Sequence, residues 1–168
     1  MFQRATLFSL LASAACFPMV ANALTVLGDI ELGETSFQAY VTNLQKRCKV
    51  TLSKSYDSKS GENMQSATVA GACYDLDFET IQIMELQDRI THVILTFGEE
   101  NLFLYPKYVD LLKQKYGQPD QQRDTYRWAG DGWTLFAIHL DEMSGLYYVS
   151  DRYEKKVTQE DKKKADKL

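Results

Sequence analysis

The chain has 168 residues, 25% charged and 45% hydrophobic, with a formal net charge of −4 and three cysteines. That length suits one domain of ordinary size, about 100–200 residues. The acidic balance excludes the basic footprint of a nucleic-acid binder, for which a pI above about 9 is expected. An aromatic content of 12% excludes low-complexity disorder.

Met1 to Ala23 reads as an export signal and not as part of the fold. Arg4 forms a short positive n-region, and Ala5 to Val20 is apolar apart from Ser9, Ser13 and Pro18. Ala21-Asn22-Ala23 then supplies the small-x-small pattern of a signal-peptidase site. Cleavage after Ala23 places the mature protein in the periplasm or outside the cell. A membrane anchor needs about 20 clean apolar residues, more than this segment has. A lipoprotein reading through Cys16 meets Ser13 where a leucine-like residue belongs.

Cleavage leaves 145 residues with 18 basic and 23 acidic side chains, a net charge of −5. Cys16 departs, and Cys48 and Cys73 remain as a pair. In an oxidising compartment a pair predicts a disulfide. No later stretch is apolar and long enough to predict a membrane span.

Leu24 to Leu32 alternates loosely and predicts a short first strand, ended by Gly33. Thr35 is then an N-cap candidate with Gln38 at capping-box spacing. Phe37, Tyr40, Val41, Leu44 and Cys48 recur on one helical face, and Lys46 and Arg47 suit its last turn. Lys49–Ser53 and Met64–Cys73 predict a hairpin turning at Ser60-Gly61. In that register Leu52 faces Val69 and Cys48 faces Cys73, so ladder and disulfide agree. If the helix instead runs to Cys48, the bridge ties helix end to strand. Either way its closure contributes roughly 3–3.5 kcal/mol in the chain-entropy model.

Thr80–Leu86 and Arg89–Phe97 predict a second hairpin turned at Gln87-Asp88, rich in β-branched residues. A second helix is predicted from Tyr105 to Tyr116, with Pro106 in its first turn and Gly117 and Pro119 after it. Its stripe is Tyr105, Val109, Leu112 and Tyr116. Strands follow at Asp124–Ala129, Trp133–Leu140 and Leu146–Ser150, separated by Gly130-Asp131-Gly132 and Asp141 to Gly145. Residues 154–168 carry six lysines and four acids, a net +2, and predict a frayed helical or flexible tail on a −7 body spanning 24–153. One internal echo stands out. Tyr40-Val41-x-x-Leu44 resembles Tyr108-Val109-x-x-Leu112, and each follows a Gly-Glu, at Gly33-Glu34 and Gly98-Glu99. It suggests two helix-plus-sheet units.

Catalytic signatures are sparse. Nucleophilic catalysis needs a base within hydrogen-bond reach, usually histidine, and the chain has only His92 and His139. His92 is expected to share a strand face with Ile90 and Ile94, and His139 one with Leu135 and Ala137. An acid/base or metal pair formed across a sheet is the functional reading; two unrelated strand histidines is the structural one. Asp75, Asp77 and Glu79 alternate in YDLDFE and could share a face, but EF-hand spacing is missing, which favours a solvated strand face. Glu99 and Glu100 fit the approach to the second helix. Gly33 is a lone glycine, not a phosphate loop. Lys162 to Lys164 are interleaved with acids, which favours solvation over a polyanion site. No cofactor or metal is expected.

Aromatics concentrate in the last strands: Tyr126, Trp128, Trp133, Tyr147, Tyr148 and Tyr153, with Arg127 and Arg152. These are residue types that interface hot spots favour. Tyr147 and Tyr148 point to opposite faces. The outer face of this C-terminal sheet is therefore the candidate binding surface.

Leu32-Gly33-Glu34-Thr35 and Lys115-Tyr116-Gly117-Gln118-Pro119 give the arrangement a resemblance to small exported proteins of the β-lactamase-inhibitor and SmpA/OmlA outer-membrane-assembly type. Those share a glycine-plus-Ser/Thr helix start and a helix ending in G-x-P, laid on antiparallel strands. The tandem echo is similar to the duplicated inhibitor form. The resemblance implies a non-catalytic protein-binding role and assigns no individual residue.

The expected fold is α+β, an antiparallel sheet with two helices packed on it. The expected function is a non-enzymatic periplasmic or secreted module (inhibitor, immunity-type or envelope-assembly accessory) whose partner is another envelope or secreted protein. A small-ligand or lipid carrier with a cavity between helix and sheet is the alternative. A small hydrolase-like enzyme using His92 and His139 comes third.

Overall fold

A computed structural model describes residues 25–59, 61–140 and 143–165. The expected export signal, with Cys16 and the cleavage position, lies outside the described residues, as do Ser60 and the last three residues of the tail.

The alternation between Leu24 and Leu32 is realised as a hairpin, not as one strand. β1 (Thr25–Val26) pairs antiparallel with β2 (Ile30–Glu31). Leu27 and Gly28 take φ of 56° and 84° between them, a left-handed turn that glycine enters without Cβ strain. Alternation alone does not distinguish a straight strand from one folded back on itself.

α1 (Phe37–Leu44) buries Phe37, Val41 and Leu44, the stripe its spacing predicts. Its N-cap is Ser36, whose Oγ accepts the Ala39 amide at 3.3 Å. Thr35 lies one residue outside the cap position: its Oγ1 accepts the Glu31 amide at 2.9 Å and its carbonyl accepts the Ile90 amide at 3.0 Å, bonds that hold it outside the helix. The helix stops at Leu44, so Lys46, Arg47 and Cys48 all fall beyond it.

β3 (Thr51–Asp57) and β4 (Glu62–Ala70) form the next hairpin, with Leu52 opposite Ala67 and not Val69. The Gly61 amide closes the turn on the Asp57 carbonyl at 2.9 Å, with Gly61 at φ 70°. The ladder therefore starts at Asp57–Glu62, two residues off the expected register. A shift of two preserves every side chain's face. Cys48 and Cys73 are disulfide-bonded with Cα atoms 6.0 Å apart, but they are not a rung of this ladder. β4 ends at Ala70, and a 3-10 turn over Gly71–Tyr74 brings Cys73 to Cys48. YDLDFE is likewise not a strand: Asp75 caps that turn in the left-handed region, φ 54°. Burial still alternates there, with Tyr74, Leu76 and Phe78 on the core and Asp75, Asp77 and Glu79 exposed.

β5 (Thr80–Leu86) and β6 (Arg89–Phe97) have the predicted bounds, joined by Gln87 and Asp88 at positive φ. Met84 pairs with His92 while Glu85 pairs with Ile90, so Thr91 is an extra residue in β6. This β-bulge turns Ile90 into the core and leaves His92 with Ile94 on the other face. The expectation that Ile90 and His92 share a face is thus corrected.

A 3-10 segment (Glu99–Leu104) leads into α2 (Tyr105–Tyr116), which buries Tyr105, Val109 and Leu112 as its stripe predicts. β7 (Asp120–Gln122), β8 (Thr125–Gly130), β9 (Trp133–Leu140) and β10 (Met143–Ser150) follow. β7 is not foreseen from the sequence. β10 begins three residues before the predicted Leu146 because Ser144 and Gly145 pair with Phe97 and Thr96 of β6. Gly145 permits that approach, since a Cβ there would lie 2.5 Å from the Leu95 carbonyl oxygen. The charged segment from residue 154, expected to be a frayed helical or flexible tail, is helical as far as Ala165: α3 (Asp151–Ala165) follows β10 directly and begins three residues before that segment. Asp151 and Glu154 in its first turn complement the helix N-terminus.

The main sheet is antiparallel throughout, in the order β3-β4-β5-β6-β10-β9-β8-β7. A helix followed by a four-strand meander thus occurs twice, as α1 with β3–β6 and α2 with β7–β10. The meanders' last strands, β6 and β10, meet at the centre, and their first strands form the edges. The echo between Tyr40 and Tyr108 coincides with this repeated order. α1 and α2 pack on one face over Val69, Ile81, Ile83, Val93, Leu95, Leu135 and Leu146. The α+β expectation is met in its coarse form, with more strand than helix and a third helix added. No helix among the described residues is long and apolar enough to cross a membrane.

Candidate functional site

The registers assign every sheet residue to one of two faces. Val93, Leu95 and Phe97 of β6 meet Tyr148, Leu146 and Ser144 of β10 on the face covered by α1 and α2. The opposite, outer face carries His92, Ile94 and Thr96 beside Val149, Tyr147 and Gly145. Across β10, Tyr147 faces Phe136 and Gly145 faces Ile138. Ile94, Tyr147 and Phe136 therefore stand abreast on three neighbouring strands. Ile138 and Leu140 extend this apolar strip, and Leu140 is 50% exposed.

α3 covers the other half of the outer face. The Tyr153 ring stands edge-on to His92 with centroids 4.2 Å apart, and its hydroxyl donates to Asp57 Oδ2 at 2.9 Å. Lys156 pairs with Glu62 at 2.7 Å. These contacts fall on β6, β3 and β4. Burial and the Asp57 carboxylate push the Tyr153 hydroxyl up to about 12. Burial also holds the His92 imidazole down at about 4, against the smaller opposing pull of Asp57. His92 is thus a neutral packing group beneath α3.

The six aromatic candidates do not form one surface. Trp128, Trp133 and Tyr148 are core residues, no more than 9% exposed. The reason is parity: with the meander's register set, these three alternate onto the face under α2. Trp128 Nε1 donates to the Gly117 carbonyl at 2.9 Å, joining β8 to the α2 terminus, and Trp133 packs on Tyr116. Tyr126 shares that face at the sheet's margin, beneath Lys113, whose ammonium lies 5.1 Å from its ring centroid. Only Tyr147 and Tyr153 are on the outer face. The Tyr147 hydroxyl is buried without a hydrogen-bond partner among the described residues, and burial raises its pKa. Phe136, Ile138, Leu140 and Ile94 complete the strip. Sequence reasoning passed over them because aliphatic strand residues look like core until the register is known.

The two histidines are on opposite faces. His139 stacks on Tyr105 with centroids 5.0 Å apart and meets Ser144 Oγ through Nδ1 at 2.7 Å. Ser144 is fully buried. A His92–His139 pair would have to act through the sheet, so the geometry behind the enzyme reading is not formed. Among the described residues, no three His, Cys, Asp or Glu side chains converge on a common point.

A cavity of about 290 Å³ lies between α2 and the β8–β9 margin, lined mainly by Leu102, Phe103, Tyr105, Pro106, Val109 and Tyr126. On the far side of the molecule, Tyr40 Oη sits 2.7 Å from Tyr74 Oη and donates to Asp29 at 3.0 Å. This network ties the first hairpin, α1 and the disulfide-bearing turn together. Burial raises both tyrosines, and the Asp29 charge adds to it. Comparison with known proteins finds no matching family model, no matching curated protein and no matching solved structure.

Proposed function

We propose that this protein is a non-enzymatic binding module of the periplasm or cell exterior that docks another envelope or secreted protein on its outer sheet face. The observation that carries this reading is the apolar strip of Ile94, Tyr147 and Phe136, continued by Ile138 and Leu140, on the β9–β10 side of α3. Flat aromatic and aliphatic patches beside a polar rim are what protein partners bury. The disulfide is compatible with an oxidising compartment. The test is a periplasmic pull-down with the mature chain, repeated with Phe136→Ser and Leu140→Ser. A stoichiometric partner should be recovered by the parent and lost by the variants, with melting temperatures unchanged. Recovery of no stoichiometric protein by the parent counts against the proposal.

A small-ligand carrier is the second reading, favoured by the cavity under Phe103 and Pro106. Its volume is at the lower end of ligand pockets, about 300–1,000 Å³, which suits a small apolar molecule better than a full acyl chain. Native mass spectrometry of the periplasmic protein should then show a bound adduct that is lost in Val109→Trp.

A further inference from the structure

The two edges of the sheet are unequal. β7 has three residues, all polar, whereas β3 has seven, and Thr51 to Tyr56 are exposed without interruption. Leu52 is 53% and Tyr56 67% exposed. The Asp57 carbonyl points into the hairpin, where it accepts the Gly61 amide. Strand alternation then aims the amides and carbonyls of Leu52, Lys54 and Tyr56 at the open edge. Among the described residues no strand lies beyond β3. A long free edge of this kind is a template for strand addition.

We propose that the occupant is a second copy of this chain, paired antiparallel through β3 about a twofold axis at Lys54. The strand's own symmetry favours a copy over an unrelated strand. Leu52 and Tyr56 are each two residues from Lys54 and share its face, so the twofold pairing sets Leu52 opposite Tyr56 of the second copy, twice. The same register sets Ser53 opposite Ser55 and Thr51 opposite Asp57, and it uses the full seven residues. Leu52, Lys54 and Tyr56 become the hydrogen-bonded positions of the new ladder, and the two sheets become one. The opposing feature is Lys54 against its own copy at the axis, a like-charge pair that weakens the contact without blocking it. This surface is separate from the outer-face strip, so partner docking and self-association are testable independently.

The experiment is light scattering and sedimentation of the oxidised mature chain over a wide concentration range. The parent should show a concentration-dependent dimer. Lys54→Thr removes the axial repulsion and should tighten it by about three- to fivefold, the equivalent of a cross-strand pair. Lys54→Pro deletes an amide that faces the open edge, where proline is tolerated, and should give a monomer with an unchanged melting temperature. If Lys54→Pro melts early, Leu52→Lys with Tyr56→Lys supplies the same disruption through exposed side chains alone. Lys54→Cys should cross-link under oxidation, because a hydrogen-bonded antiparallel pair separates Cα atoms by about 5.5 Å, within disulfide range. A strictly monomeric parent and a strictly monomeric Lys54→Thr overturn the proposal. So does a dimer that survives in the folded edge variants.

Discussion

Asp88 Oδ1 accepts the Gln38 amide at 2.9 Å, so a turn residue of the β5–β6 hairpin caps a helix 50 positions earlier. Its other oxygen accepts the Ser36 hydroxyl at 2.9 Å, and its carbonyl accepts the Phe37 amide at 3.0 Å. The two bonds to its carboxylate, the one from Gln38 first and that from Ser36 second, hold the Asp88 carboxyl below its ordinary pKa. The short helix α1 thus has its free amides satisfied by a tertiary neighbour as well as by its own N-cap.

Replacing Asp88 by alanine should therefore cost about 0.5–1 kcal/mol, the lower part of the range for a lost helix cap because the carboxylate is exposed and screened by solvent. Urea unfolding at neutral pH measures it. The contribution of Asp88 is fully present above the unfolded carboxylate pKa of about 4 and is lost as pH falls through its lower folded value. A variant as stable as the parent would show that Ser36 suffices.

His92 predicts an acid sensitivity above the carboxylate range. Its folded pKa of about 4 lies below the ordinary 6.5, so the unfolded chain binds its proton first. Stability should fall as pH drops from 6.5 towards 4, by at most roughly 3 kcal/mol, and this term is constant below 4. His92→Leu should flatten that part of the profile while keeping an apolar contact for Tyr153. Denaturation midpoints of the two proteins across this window decide the matter, and parallel profiles would refute it.

The bridge between Cys48 and Cys73 closes a separation of 25 residues. Its removal in a Cys48→Ser, Cys73→Ser double variant should cost roughly 3–3.5 kcal/mol. Intact mass of the purified mature protein should be two hydrogens below the reduced form. Two free thiols would contradict the pairing.

The aromatics divide into core and surface by energy. Trp128→Ala should destabilise by about 3–5 kcal/mol, as for other buried large-to-small changes, with the Gly117 carbonyl losing its donor. Phe136→Ser and Leu140→Ser should stay within about 1 kcal/mol, since their side chains remain partly in solvent. Thermal melts of the three variants separate them, and equal losses would place Phe136 in the core.

Much of the local structure was legible. Thr80–Leu86, Arg89–Phe97, Tyr105–Tyr116 and Trp133–Leu140 have the bounds their periodicity and glycine or proline punctuation predict. The misses share a cause. Thr35 lost the cap to Ser36 because its carbonyl is tied to the Ile90 amide and its hydroxyl to Glu31, so the helix begins one residue later. Ile90 changed face because a bulge at Thr91 adds one residue to β6. β7 is legible only through its partner, since Asp120–Gln122 has no apolar period of its own.

The candidate site was less legible than the fold. Composition drew attention to tryptophans and tyrosines in the last strands, yet half of the six named are core. Which face a strand residue takes depends on register and on a neighbour's bulge, and neither is a local property. The amino-acid sequence by itself determined the paired cysteines, the two amphipathic helices and the strand-rich body, because each rests on spacing along the chain. Only the tertiary structure decided that His92 and His139 are separated by the sheet, that α3 covers half of one face, and that β3 is an edge strand of the sheet among the described residues. Those outcomes follow from long-range hydrogen bonding and parity across eight strands, which no window of sequence contains.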